Sequence, residues 1–172
     1  MTPIDQAPPK AVEALLDAAF GKDRHQRTAY RLREGANPVP ELSLAAFDNA
    51  SALAGVLQSW PVALVDGEGG RHPMVLVGPV AVRPDLQREG LGRRMMEAML
   101  AKADAAAEPA LMLIGDPEYY GRFFGFSAVP TQGWSLPGPF ERHRLLARLA
   151  PGVTLPAEGS VEPARAVLPA GC

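Results

Sequence analysis

Cysteine is almost missing from this chain: Cys172 is its single thiol in 172 residues. One thiol closes no internal disulfide and builds no cysteine metal cage, which excludes a disulfide-stapled secreted domain. Aromatic residues are few, at 6%. Neither sign of charge dominates, since 17 Lys and Arg stand against 19 Asp and Glu and leave a net charge of −2. That balance argues against a dedicated nucleic-acid binder or a basic membrane-surface protein. A long apolar run is also lacking. The apolar-rich uncharged stretch Asn49 to Val65 is broken by Ser51, Gly55, Gln58, Ser59 and Pro61 and reads as strands rather than a membrane helix. The first nine residues contain Asp5 but no Lys or Arg, so they lack the basic start of a signal peptide. The expectation is a soluble, cytoplasmic protein with neither membrane nor nucleic acid as partner. His25 and His143 stand far apart without metal-ligand spacing, so no metal is expected.

What is present suits one mixed α/β domain. An apolar content of 47% is enough for a core, and 17 Gly with 18 Pro punctuate the chain into short elements. Val12, Leu15, Leu16, Ala19 and Phe20 mark one face of a helix closed by Gly21. Asp23 with Gln26 resembles a capping box that opens a second helix running to about Gly35. Two apolar runs, Leu42 to Phe47 and Ser51 to Trp60, flank the turn residues Asp48-Asn49 as an antiparallel hairpin, and Asp66 to Gly70 is a further turn. Met74 to Val82 is apolar throughout, as in a strand buried on both faces. A long helix follows over 90–107, then a short strand over 111–114. Asp116 and Pro117 are the N-cap and first residue of another helix, and 144–149 reads as a last strand. The division expected is a domain over 1–149 and a loosely packed Pro/Gly/Ala-rich tail over 150–172.

The stretch with chemical content is Val80-Ala81-Val82-Arg83-Pro84-Asp85-Leu86-Gln87-Arg88-Glu89-Gly90-Leu91-Gly92-Arg93. A buried strand enters a tight loop, and two glycines open a long helix. The first N–H groups of a helix have no partner inside it and carry the positive end of its dipole, so they suit phosphate oxygens. Glycine lets the backbone approach such an anion, and Arg88 and Arg93 flank the loop. The pattern is not a dinucleotide fingerprint, because Met95 stands at the third glycine position, and it lacks the Gly-Lys-Ser/Thr ending of a P-loop.

In its context this stretch closely resembles motif A of the GCN5-related N-acetyltransferase (GNAT) superfamily. Gly115-Asp116-Pro117-Glu118-Tyr119-Tyr120-Gly121-Arg122-Phe123-Phe124-Gly125-Phe126 is similar to a segment of the bacterial YhbS-like branch, as is Leu136-Pro137-Gly138-Pro139-Phe140-Glu141-Arg142. The resemblance spans about residues 10 to 149. It implies a GNAT fold, a central mixed sheet whose parallel strand pair splays apart between flanking helices.

The resemblance also implies acetyl-CoA as cosubstrate and a small-molecule or peptide amine as acceptor. The pantetheine arm would pair with Val80, Ala81 and Val82, and the pyrophosphate would meet the backbone of Gln87, Arg88, Glu89, Gly90, Leu91, Gly92 and Arg93. Gly78-Pro79 is the expected site of the family's strand bulge, or else a plain kink. The general acid for the departing thiolate is assigned to Tyr120, with Tyr119 as the alternative, because Phe123-Phe124 is one aromatic longer than the family pattern. His72 and Glu41 are the nearest ionisable groups for a base, though both read more simply as surface residues. Met95, Met96 and Met99 read as core. Arg142-His143-Arg144 reads as a solvated basic patch. A second reading is a domain that binds acyl-CoA without turnover, and a third is transfer of a longer acyl group into a pocket near Trp60 or Trp134. A homodimer through the C-terminal strand is common in such folds.

Overall fold

The computed structural model describes residues 1–164, so Cys172 and the end of the expected tail lie outside the described residues. The chain runs β1 (Thr2–Pro3), α1 (Pro9–Phe20), α2 (Thr28–Arg31), β2 (Leu44–Phe47), β3 (Leu53–Val65), β4 (Arg71–Val82), α3 (Leu91–Ala105), β5 (Ala110–Ile114), α4 (Pro117–Phe124), β6 (Gly133–Ser135), β7 (Leu145–Leu149) and β8 (Glu158–Pro163). One mixed sheet carries the order β1-β2-β3-β4-β5-β7, with β8 pairing both β3 and β6.

Local chemistry sets the turns. Asp48 Oδ1 accepts from the amides of Ala50 and Ala52 between β2 and β3, and Asp66 Oδ1 accepts from Glu68 and Gly70 between β3 and β4. Helices cover both faces of the sheet. Val12, Leu15 and Leu16 of α1 lie over Ala45, Val56 and Ala81. Met95, Met96 and Met99 of α3 lie over Leu57, Val75 and Val77 on the other side, as the methionine spacing predicted.

Two expectations give way. The second helix does not begin on a capping box: a 3-10 turn over Lys22–Gln26 precedes the one-turn α2, and no side chain caps either. Arg24 takes over that region instead, buried and bonded to Glu13, to Asp17 (3.0 Å) and to the Tyr30 hydroxyl (2.5 Å). The described residues after Ala150 are also not a loosely packed tail throughout, since they contain β8. β2 covers β3 only through its first half, and β8 takes the edge left open beyond it, pairing Val62–Val65 with Val161 fully buried. The strand lacks apolar periodicity because its main chain, more than its side chains, makes the contact.

The feature that builds a site is the relation of β4 to β5. They pair in parallel at Val75↔Leu111 and Leu76↔Met112 alone, after which β4 follows β3 and β5 follows β7. Leu57 faces Val80 and Ser59 faces Val77, so β4 fits three steps against two of β3. The extra residue falls at Gly78-Pro79, where Gly78 takes φ +124°. This is the bulge rather than a plain kink.

Candidate active site

Past the bulge, Val80–Val82 pair with β3 on one side and, among the described residues, have no strand on the other. Their free edge faces a cavity of about 370 Å³. Val80, Val82, Gln87, Gly90, Gly92 and Arg93 line it, together with Met96, Tyr119 and Tyr120. The side chains of the remaining residues expected at the cofactor turn elsewhere. Ala81 is buried under α1, Leu91 packs on the core, and Arg88 and Glu89 point to solvent.

The loop between β4 and α3 is braced from outside. Arg83 reaches Asp48 at 2.9 Å and both oxygens of Asp85 at 2.7 and 3.0 Å. The guanidinium holds the Asp85 carboxyl below the usual range; for Asp48 the Ala52 amide does most of this and Arg83 adds to it. Gly90 then opens α3 with φ +74°, a conformation strained for any residue with a β-carbon. Among the described residues, none of the amides of Gly90, Leu91, Gly92 and Arg93 has a backbone acceptor, as expected at a helix start. Arg93 is held by Glu97 at 2.9 Å and lies 4.6 Å over the Phe123 ring.

On the far side of the splay, α4 starts where its sequence dictates. Asp116 Oδ1 accepts from the Glu118 amide at 3.0 Å, and Pro117 fills the first helical position. One turn in, the Tyr120 ring rests against Gly115, where a β-carbon would come within 2.5 Å of it. Burial pushes the Tyr120 phenol above its ordinary value, with Tyr119 adding to the effect. Its hydroxyl bonds to no group among the described residues. Of the aromatic pair, Phe123 is exposed beneath Arg93 and Arg122, while Phe124 is buried.

Tyr120, Val80 and Met96 line a second, larger cavity as well, of about 920 Å³. Tyr120 therefore stands where the two spaces meet, whereas Tyr119 faces the smaller alone. The larger cavity is walled by the α1–α2 region, the bulge, the end of β5 and residues 139–141 and 144. Its two lining carboxylates are Asp116 and Glu141, neither of which the sequence offered as a candidate base. His72 and Glu41 are absent from it: His72 pairs with Asp66 at 2.9 Å in the β3–β4 turn, and Glu41 is exposed. Trp60 and Trp134 do not line it either, and Trp134 donates to the Pro156 carbonyl at 3.0 Å. The basic patch divides, since Arg142 donates to the Thr131 and Trp134 carbonyls, both at 2.9 Å, while Arg144 faces the cavity. Thr28, Tyr30 and Arg33 are lining residues with no sequence signal beyond the density of arginine over 24–33. Among the described residues no group of three or more His, Cys, Asp or Glu is placed to hold a metal ion, and no helix is long and apolar enough to cross a membrane.

A mixed sheet splayed at one parallel pair, between helices on both faces, is the fold of the GNAT acyltransferases. The chain belongs to that family: the model of the acetyltransferase (GNAT) domain matches residues 4–129. It is similar to the uncharacterized N-acetyltransferase YhbS of Escherichia coli strain K12, with 31% identity over 156 residues, 88% of this chain and 89% of the relative. The crystal structure of E. coli YhbS in complex with CoA superposes with a TM-score of 0.70 at 26% identity, covering 95% of this chain and 87% of that one. A GNAT acetyltransferase from Brucella melitensis in complex with acetyl-CoA gives 0.63 at 26% identity, covering 90% of each.

Proposed function

We propose that the protein is an N-acetyltransferase that moves the acetyl group of acetyl-CoA directly to the primary amine of a small-molecule or peptide acceptor. The observation that carries this reading is the meeting of the two cavities at Tyr120, beside the free edge of β4. The bound CoA of E. coli YhbS and the bound acetyl-CoA of the Brucella enzyme support it. In this reading the two amides of the pantetheine arm pair with Val80–Val82 as an added strand would. The pyrophosphate meets the amides at the start of α3. Arg93 stays on Glu97 and Phe123, so backbone N–H groups do more of this work than side chains. Leu91, Arg88, Glu89 and Ala81 contribute main chain alone.

The acceptor occupies the larger cavity. Its neutral nitrogen attacks the thioester carbonyl, forming the C–N bond as the C–S bond breaks. Tyr120 gives its phenolic proton to the departing sulfur and regains one from the ammonium through solvent. Positioning of the two substrates supplies the rest of the rate.

Thiol release in a mixture of protein, acetyl-CoA and a panel of amines, peptides and aminoglycosides tests the activity. Release with at least one amine is expected. Tight CoA binding with no release from any member would leave a binding module instead of an enzyme. Calorimetry tests the site: CoA is expected to bind at least about tenfold more tightly than pantetheine, and equal affinity would remove the pyrophosphate from α3.

A further inference from the structure

The larger cavity holds four arginines, and they are not alike. Arg24 is neutralised by Glu13 and Asp17. Arg27, Arg33 and Arg144 have no carboxylate within ion-pair reach among the described residues, although all three line the cavity. Of the two acidic lining residues, Asp116 is engaged in capping α4 and Glu141 lies 3.4 Å from His143.

Arg33 is the unusual member. Its guanidinium carbon lies 3.9 Å over the Tyr30 ring and 4.0 Å over the Trp60 ring, so both flat faces are covered by aromatics. A guanidinium closed in this way keeps only its edge N–H groups for recognition, and that edge matches the paired oxygens of a carboxylate or phosphate. One edge nitrogen, Nη1, is buried and has no hydrogen-bond partner. A charged group with a buried donor left without an acceptor is costly and rare, and the cavity that Arg33 lines is the route by which an anionic acceptor can reach its guanidinium edge. Burial also lowers the Arg33 ionisation from the ordinary arginine value, an effect that a bound anion would oppose.

We infer that the acceptor amine carries an oxyanion, a carboxylate or a phosphate, and that Arg33 binds it edge-on while the amine reaches the splay of β4 and β5. Arg27 and Arg144 add long-range attraction for the same charge. This rests on the acceptor reading above only in taking the larger cavity as the place where the amine binds.

The test is calorimetric binding to the CoA-loaded protein, with thiol release measured in parallel. Matched pairs serve as probes: ω-amino acids of three to six carbons against their neutral amides, and O-phosphoethanolamine against ethanolamine. The expected result is a preference of at least about tenfold for the anionic member of one series, and the series that shows it tells carboxylate from phosphate. Arg33→Gln should reduce that preference to within about twofold. If this variant does not fold, Arg33→Lys keeps a cation between the rings but loses the planar fork, and it should cut the preference severalfold. Equal binding of anionic and neutral members to the unaltered protein would overturn the inference, as would a preference that survives in a folded Arg33 variant. Anion-selective binding without thiol release would uphold the inference and sink acetyl transfer. Thiol release from neutral amines alone would do the reverse.

Discussion

Tyr120 owes its position to a neighbour without a side chain. Its ring lies where a β-carbon on Gly115 would be, so Gly115→Ala is expected to push the ring out of place although the phenol remains. That variant should lose activity as Tyr120→Phe does. For Tyr120→Phe, kcat is expected to fall about 10²-fold with CoA affinity unchanged, while Tyr119→Phe keeps most activity. The reverse result, measured by thiol release, would move the acid to Tyr119. The pH profile adds an independent check. Burial raises the phenol above its ordinary value of 10.0, and the protonated form is the acid, so the shift extends activity toward alkaline pH. The alkaline limb of kcat is expected above about pH 10, and a limb near pH 8 would belong to another group. The same shift has a consequence for folding. The folded chain holds this proton more tightly than the unfolded one, so that contribution is complete below about pH 10 and is lost as pH rises through the folded value.

At the scale of elements, the start of α3 and the edge of β4 act as one unit. Gly90 and Gly92 both belong to it, but they differ in what they tolerate. Gly90 needs a positive φ, so Gly90→Val is expected to lower the melting temperature together with CoA affinity. Gly92 is helical, and a β-carbon there would lie 3.6 Å from Val82 Cγ2, an ordinary contact. Gly92→Val should therefore narrow the smaller cavity and weaken CoA at least about tenfold with the fold retained, as calorimetry beside circular dichroism will show. CoA affinity untouched by Gly92→Val would place the cofactor elsewhere. Capping explains what could be read at this scale. Asp116 and Pro117 announce α4 because the cap bond spans two residues, from the Asp116 side chain to the Glu118 amide. Asp23 offers the same local signal at the second helix, but a distant demand prevails there, since Arg24 is drawn into the core by Glu13 and Asp17 of α1 and the chain tightens into a 3-10 turn.

For the whole molecule, β8 decides how far the stable unit extends. It covers the second half of β3, carries the parallel partner β6, and is preceded by the carbonyl of Pro156 that receives the buried Trp134 indole N–H. Val161→Ala removes two methyl groups from a fully buried position and is expected to cost about 2 kcal/mol. For a chain of this size that is a fall in melting temperature of roughly 4–8 °C. Truncation after Ala150 leaves Val62–Val65 as an unpaired edge and should lower the midpoint further. An unchanged midpoint in both would show that β8 adds nothing to the core.

The sequence by itself determined what depends on neighbours a few residues apart. The three aspartate-led turns and caps at 48, 66 and 116, the apolar run of β4 and the methionine stripe of α3 are each legible because a hydrogen bond or a helical period closes within a turn or two. The glycine pair at the start of α3 and the tyrosine pair of α4 were visible for the same reason. Only the tertiary structure decided which of them share a cavity. It brings Val80 and Tyr120, forty residues apart in number, to one junction, because two strands part after two paired residues. It also decided the surroundings of Arg33, whose two aromatic neighbours come from α2 and from β3. The strand over 158–163 was illegible because its pairing is made by backbone groups that every sequence carries, and what selects it is an open edge about a hundred residues earlier in the chain.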